Sequence, residues 1–301
     1  MTDAGWPFRK GHGTGNDFVL LPDAYGELAL TLTPAVVSAI CDRRGGLGAD
    51  GLLRVVRSDS AADIPEAAEQ AGAATWFMDY RNADGSLAEM CGNGARVFAR
   101  HLVDTGAEQP GRFAIGTRAG LKQVDVPATG DVTVDMGPAS FGGTGAGSAA
   151  DAASIMVAVA DHSAGPWPAV AVDMGNPHAV AFVSDLAEAG RLLDPPEVSP
   201  AGAFPHGVNV EFVVEVGPAH VAMRVFERGV GQTQSCGTGA CAVFAAARRR
   251  PGADPSASWI VDVPGGRLRL HERPDGGIDL TGPAAIVATG TLDPDWLEAN
   301  H

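Results

Sequence analysis

Hydrophobic positions along this chain come in short runs broken by glycine, proline and acidic residues. Most runs alternate, or are continuous over no more than a strand's length, which is the pattern of sheet rather than helix. They fall at residues 18–21, 52–56, 75–80, 132–135, 155–159, 169–173, 179–183, 208–214 and 221–226, and again at 259–263, 268–270, 278–280 and 285–288. Helical spacing is rarer. Thr33-Pro34 places a cap ahead of a proline at the first helical position and opens a helix to about Asp42. Val97, Phe98 and Leu102 carry a second from Asn93 to about Thr105, stopped by Gly106. A third runs from Gly237 to about Arg250, ahead of Pro251, and a short one follows Ser184-Asp185. Residues 58–74, acidic and alanine-rich, read as a loop. The Gly/Ala/Ser-rich stretch 137–153 reads as a linker between domains. The class is α+β, weighted to strands.

An internal repeat sharpens this. Met90-Cys91-Gly92-Asn93-Gly94-Ala95 returns half a chain later as Ser235-Cys236-Gly237-Thr238-Gly239-Ala240. Each copy follows a predicted strand and opens a predicted apolar helix. A second echo pairs Gly15-Asn16-Asp17-Phe18-Val19 with Gly175-Asn176-Pro177-His178-Ala179-Val180. Two related halves, each presenting Cys-Gly-x-Gly at a helix start, account for both echoes.

Composition narrows the partners. The 301 residues, 45% of them hydrophobic, suffice for one large or two ordinary domains with packed cores. Acidic residues number 36 against 21 Lys and Arg, a net charge of −15, which argues against nucleic acid and against an anionic membrane surface. Cys41, Cys91, Cys236 and Cys241 are too sparse for a disulfide scaffold. The N-terminus has no apolar leader and no run reaches membrane-spanning length, so the expected location is the cytoplasm. No Cys or His spacing suits zinc, and no metal is expected. Lys10 and Lys122 are the only lysines, so a pyridoxal Schiff base has few candidates.

The paired thiols then carry the chemistry. A helix N-terminus offers outward N–H groups and partial positive charge, holds a carboxylate, and lowers the pKa of a thiol placed there. Two such sites facing across a cleft would grip one carboxylate, with a thiol on either side of its α-carbon. Racemisation needs that arrangement: a thiolate base on one face and a thiol acid on the other, exchanging roles in reverse. A single free cysteine is most often a core residue, and Cys41 and Cys241 are read so. The matched Gly-rich contexts set Cys91 and Cys236 apart.

With these motifs the chain resembles the diaminopimelate epimerase family. The resemblance rests on His12-Gly13-Thr14-Gly15-Asn16-Asp17-Phe18, Tyr80-Arg81-Asn82-Ala83-Asp84-Gly85-Ser86, the Cys91 motif, Gly175-Asn176-Pro177-His178, Gly207-Val208-Asn209-Val210, and Glu227-Arg228-Gly229 with the Cys236 motif. It implies two pseudo-symmetric halves, each a barrel-like, antiparallel-rich sheet around a central helix. Residues 1–137 with 284–301 would carry Cys91, residues 138–283 would carry Cys236, and the active site would lie in the cleft between them. It implies interconversion of LL- and meso-diaminopimelate without pyridoxal phosphate or other cofactor, with Cys91 attacking the L centre and Cys236 the D centre. The reacting carboxylate would sit on the amides of Gly92, Asn93, Gly237 and Thr238. Asn16, Asn82, Asn209 and Arg228 would hold the distal end, Asn176 and Glu227 would reach the reacting amino group, and His178 with Glu227 would form a dyad beside the cysteines. A homodimer is compatible with the resemblance. Where many relatives carry Gln, Gly51 follows Gly48-Ala49-Asp50, so that distal contact is missing or made by water. The rivals are a proline or hydroxyproline racemase-like enzyme of the same fold, and a non-catalytic amino-acid-binding protein or thiol sensor. The Asn and Arg set, which suits a zwitterionic distal end, favours diaminopimelate.

Overall fold

The computed structural model describes residues 5–142, 155–160 and 165–300. The chain divides into two compact units, residues 1–134 with 282–301 and residues 135–281. The sequence repeat and the family resemblance place these boundaries at 137/138 and 283/284, within three residues of those observed.

In the first unit, β1 (Pro7–Gly13) and β2 (Asn16–Pro22) form a tight hairpin. Thr14 and Gly15 make its turn with φ of 50° and 82°, the two positive values that a two-residue hairpin loop requires. Next, α1 (Pro34–Cys41), capped by the Thr33 side chain on the Val36 amide, crosses to β3 (Gly51–Arg57), which lies parallel to β2. Helix α2 (Pro65–Gln70) leads into β4 (Trp76–Asn82), antiparallel to β3. Helix α3 (Gly92–Asp104) follows, then β5 (Gly111–Ile115), β6 (Lys122–Val126) and β7 (Val132–Pro138), where the chain leaves the unit.

The second unit begins with β8 (Ser140–Phe141), β9 (Ile155–Ala158), β10 (Trp167–Asp173) and β11 (Pro177–Phe182). A 3-10 turn, Leu186–Ala189, and β12 (Glu197–Ser199) connect to β13 (Asn209–Gly217) and β14 (His220–Glu227). After β15 (Gly231–Gln232) come α4 (Gly237–Ala247), β16 (Ser258–Val263), β17 (Gly266–Glu272) and β18 (Gly277–Gly282). The chain then returns to the first unit as β19 (Ala285–Thr291), paired with β1, and α5 (Pro294–Ala299).

The repeat seen in the sequence is a repeat of topology. In the first unit the order β1-β2-β3-β4 pairs antiparallel, parallel, antiparallel; in the second, β10-β11-β13-β14 does the same. Each set is followed by the helix that begins at a cysteine. Helix α3 is buried from Gly92 to Leu102 and packs on β1, β2, β3, β4, β6 and β19. Helix α4 packs on β10, β11, β13, β14, β16 and β17. A helix enclosed by strands on all sides must bury its polar residues with partners, and Arg96 and Arg100 bond the carbonyls of Gly92, Pro283, Pro127 and Gly130.

Several sequence expectations change. The loop at 58–74 contains α2, started by Pro65 at the first helical position. Helix α4 ends at Ala247, because Arg248–Arg250 close turns back onto the helix carbonyls rather than extend it. The linker at 137–153 begins as strand: β7 runs to Pro138 and β8 pairs with β10. Its remainder, residues 143–153, lies outside the described residues. Among the described residues no helix is long and apolar enough to cross a membrane.

Candidate active site

Both cysteines of the repeat are helix N-caps. Cys91 sits in extended backbone (φ −141°, ψ 123°) ahead of α3, and its Sγ accepts from the Gly94 amide at 3.5 Å. Cys236 (φ −115°, ψ 118°) stands ahead of α4, and its Sγ accepts from the Gly239 amide at 3.3 Å. Sulfur thus takes the place that Ser or Asp oxygen usually occupies on the third helical amide. Gly92 and Asn93 in one helix, and Gly237 and Thr238 in the other, occupy the two positions whose N–H groups point out of the helix end. An anion is the natural occupant of such an end.

Around Cys91, the hairpin turn delivers Asn16. Its Oδ1 accepts from Cys91 Sγ at 3.6 Å and from Asn93 Nδ2 at 3.2 Å, while its Nδ2 donates to Asp50 at 2.8 Å. Arg96, fully buried, donates to Asn93 Oδ1 at 2.8 Å and Thr14 Oγ1 at 3.2 Å, which ties the turn to the helix start. Asp50 is itself gripped by Arg43, which also binds Asp17. Asn82 ends β4 in a turn with Ser86, donating to its hydroxyl at 3.0 Å. Gly51 pairs with Asn82 across the strands, and a Cβ there would lie 2.7 Å from the Tyr80 ring and from the Arg81 carbonyl. Tyr80 therefore fills the space beside β3 into which a larger residue would project.

Around Cys236, β11, β13 and β14 bring polar side chains to α4. His178, completely buried, meets Glu211 Oε1 through Nδ1 at 2.6 Å and Asn176 Oδ1 through Nε2 at 3.0 Å. Asn176 Nδ2 donates to Thr238 Oγ1 at 3.3 Å, and that hydroxyl lies 3.5 Å from Cys236 Sγ. Glu227 accepts from the Thr233 hydroxyl and from Cys236. Asn209 links strand ends: it accepts from the Arg228 amide at 3.0 Å and donates to the Pro177 carbonyl at 3.1 Å. Arg228 is exposed, bonds the His206 carbonyl at 2.9 Å, and lines a cavity with Phe204, Gly207, Val208 and Phe226.

Burial dominates the electrostatics. It pushes the Cys236 thiol well above the usual thiol range. The Glu227 and Glu211 carboxylates push it further, against the Thr238 hydroxyl and Gly239 amide. At Cys236 the direction is the opposite of that expected for a thiol at a helix end, because desolvation and two neighbouring anions outweigh the hydrogen bonds from Thr238 and Gly239. Burial likewise raises the Glu227 carboxyl. Cys41 and Cys241 are buried core residues, and burial drives the Cys41 thiol up to about 12.

The structure thus gathers Asn16, Gly92 and Asn93 around Cys91, with Asn82 at the end of β4 in the same sheet, and Asn176, His178, Glu227, Gly237 and Thr238 around Cys236. The carboxylate bonded to His178 is Glu211, which the sequence reading did not single out. Its signal was available: Glu211 is the one charge in the apolar run Val208–Val214, and it lies two residues beyond Asn209, the parallel-strand neighbour of His178. Asn93 and Asn209 commit their side chains to the scaffold.

Comparison with known proteins follows the same division of the chain. The family model described as Diaminopimelate epimerase matches residues 8–142 and 170–287. A protein named diaminopimelate epimerase from Streptomyces coelicolor is 58% identical over 296 residues, covering 97% of this chain and 96% of that protein. One of the same name from Thermobifida fusca is 49% identical, covering 95% and 97%. Among solved structures, a Bacillus anthracis phenazine biosynthesis protein of the PhzF family shares the fold with a TM-score of 0.66 at 17% identity, covering 97% and 99% of the two chains. A hydroxyproline epimerase from Agrobacterium vitis shares it at 0.61 and 16%, covering 97% and 94%. Full-length matches of this identity, on a chain whose two units each start a buried helix with cysteine, place it in the diaminopimelate epimerase family.

Proposed function

We propose that this chain interconverts LL- and meso-diaminopimelate by a two-thiol proton transfer that uses no pyridoxal phosphate. The observation that carries the proposal is the pair of sulfur N-caps, each receiving the third amide of a Gly-rich helix buried in its own unit. The substrate α-carboxylate is bound by the outward amides of Gly92, Asn93, Gly237 and Thr238, so both thiols address one α-carbon. Cys91 thiolate takes the α-proton at the L centre. The C–H electron pair is left on carbon, delocalised into the carboxylate that the helix ends hold. Cys236, kept as a thiol by burial and its acidic neighbours, delivers its proton to the opposite face. Cys91 is then thiol and Cys236 thiolate, the state that runs the reaction backwards.

The remaining groups fit this assignment. In this reading Asn176 and the Glu227 carboxylate receive the reacting ammonium. Arg228, with Asn16 and Asn82, suits the distal carboxylate and ammonium. The reaction belongs in a reducing compartment, the cytoplasm, because both sulfurs must stay reduced.

The test is α-proton exchange in heavy water under reducing conditions without added pyridoxal, across diaminopimelate, proline and hydroxyproline. Exchange with diaminopimelate alone is the expected result. Exchange only with the cyclic substrates, or with none, rejects the proposal.

A further inference from the structure

Strand β15 folds back on the end of β14, with Phe226 opposite Gln232 and Glu227 opposite Gly231. The next residue, Thr233, is thereby returned to the Glu227 side chain, and its hydroxyl is bonded to Oε1 of that carboxyl group. Three residues further on stands Cys236, whose thiol bonds the same carboxyl group. All three residues belong to one unit. The chain on either side of Thr233 is anchored by other bonds. Arg224 donates to the Gln232 side chain at 2.9 Å, and the Gln234 carbonyl accepts from the Gly265 amide at 2.8 Å. The Thr233 hydroxyl is therefore not what closes this loop. What it constrains is Glu227, a half-buried side chain with several rotatable bonds, for which Thr233 and Cys236 are the hydrogen-bonding partners among the described residues.

We propose that Thr233 is a positioning residue: its hydroxyl fixes Oε1 of Glu227 and so keeps the carboxyl group in place for the reacting ammonium throughout the proton-transfer cycle. The inference rests on the reading of Glu227 as the group that receives that ammonium. The tie does not depend on the charge of the carboxyl group, since a hydroxyl donates to a carboxylate or accepts from a carboxylic acid. The bond from Cys236 is different. A thiol can donate and a thiolate cannot. Once Cys236 has passed its proton to the substrate, its bond to a Glu227 carboxylate is gone and two anions face each other. Thr233 is the partner that remains.

A threonine that served only to hold the loop would leave Glu227 unmoved when its hydroxyl is deleted. A positioning threonine would not. Burial raises the Glu227 carboxyl, and the Thr233 hydroxyl is foremost among the groups that lower it. The Cys236 thiol ahead of α4 also lowers it, Glu211 from β13 raises it, and His178 from β11 lowers it. Removing the hydroxyl takes a donor from the charged form alone, so the Glu227 midpoint rises.

The experiment is a carbon-13 NMR titration of the Glu227 side-chain carboxyl in full-length protein labelled at glutamate Cδ, the resonance being identified by its loss in Glu227→Gln. Thr233→Val, of the same shape without the hydroxyl, is expected to move the midpoint upward by on the order of one pH unit, and Thr233→Ser to restore it. Thr233→Ala asks for less room than threonine and is expected to act like Thr233→Val, so the test survives should the Val variant fail to fold. In the heavy-water exchange assay the Val and Ala variants are expected to lose about tenfold in kcat/KM for diaminopimelate, while Thr233→Ser stays within about twofold of the parent. An unmoved Glu227 midpoint in the variants without the hydroxyl overturns the proposal. So does a moved midpoint with kcat/KM kept within about twofold. A parent protein that exchanges no diaminopimelate proton is instead the failure of the two-thiol reading, seen before any variant is compared, and the titration, which needs no substrate, still decides the Thr233 bond.

Discussion

Thr14 holds a left-handed backbone (φ 50°) that L-residues with a Cβ disfavour, and it is 1% exposed. Its hydroxyl accepts from the buried Arg96 guanidinium at 3.2 Å. Two substitutions separate these contributions. Thr14→Ala keeps the strained backbone and loses the hydroxyl, a charge-assisted bond worth about 1.5–3 kcal/mol. Thr14→Gly loses the same bond but releases about 1 kcal/mol of left-handed strain. Thr14→Ala is therefore expected to be destabilised by about 2 kcal/mol and Thr14→Gly by about 1 kcal/mol, a roughly fivefold difference in folding equilibrium. Urea unfolding with unchanged m-values reads it directly. Because both variants free the same end of Arg96, the KM for diaminopimelate should rise by a similar factor in both as Asn16 loosens. An Ala variant as stable as the Gly variant would refute the claim that the turn is held against its backbone preference.

Other outcomes follow from the same structure. His101, buried in α3, has its imidazole pushed from the ordinary value near 6.5 down to about 4, chiefly by burial and secondarily by the Arg9 charge. The unfolded chain then binds a proton that the folded one refuses, so stability should fall as pH drops from about 6.5 to about 4, by at most about 3 kcal/mol. His101→Gln should flatten that dependence in urea melts, and an unchanged slope would show that another group is responsible. Cys91→Ser and Cys236→Ser should abolish turnover yet melt within about 1 kcal/mol of the parent, since oxygen replaces sulfur as the cap, whereas the Ala variants lose the cap as well. Ser and Ala variants of equal stability would deny the sulfur its capping role. Arg228→Ala should raise KM for diaminopimelate at least tenfold while leaving weak exchange on a substrate without the distal carboxylate unchanged; equal losses would misplace the distal contact.

The elements legible in the sequence are those whose side chains alternate against a core. Strands β2, β3 and β13 carry nearly pure apolar runs. Strand β1, Pro7-Phe8-Arg9-Lys10-Gly11-His12-Gly13, does not, because the Lys10 side chain binds Asp17 and the glycines pack where side chains cannot: a Cβ on Gly13 would lie 2.9 Å from Arg96. Strands β5 and β6 pair through the backbone with mixed faces, so their periodicity is weak. The Asp293-Pro294 start of α5 has the same form as Thr33-Pro34, yet that helix is only six residues long and shows too little periodicity to stand out. At the site, the repeat exposed both cysteines and the Gly-rich caps because those are local in sequence. The lone charge in the run Val208–Val214 marks Glu211 as unusual, but that it meets His178 is set by parallel-strand register, which only the structure shows.

The two sulfur caps have one more consequence. In the proposed reaction the cysteines share a single exchangeable proton, so one helix is capped by a thiolate while the other is capped by a thiol. The anionic sulfur is the stronger acceptor for its glycine amide. In that reaction the two units, built on the same topology, would never be in the same electrostatic state, and each turnover would exchange which of them holds the tighter helix start. The amides of Gly94 and Gly239 become a matched pair of reporters on a symmetry that one proton breaks and each catalytic event inverts.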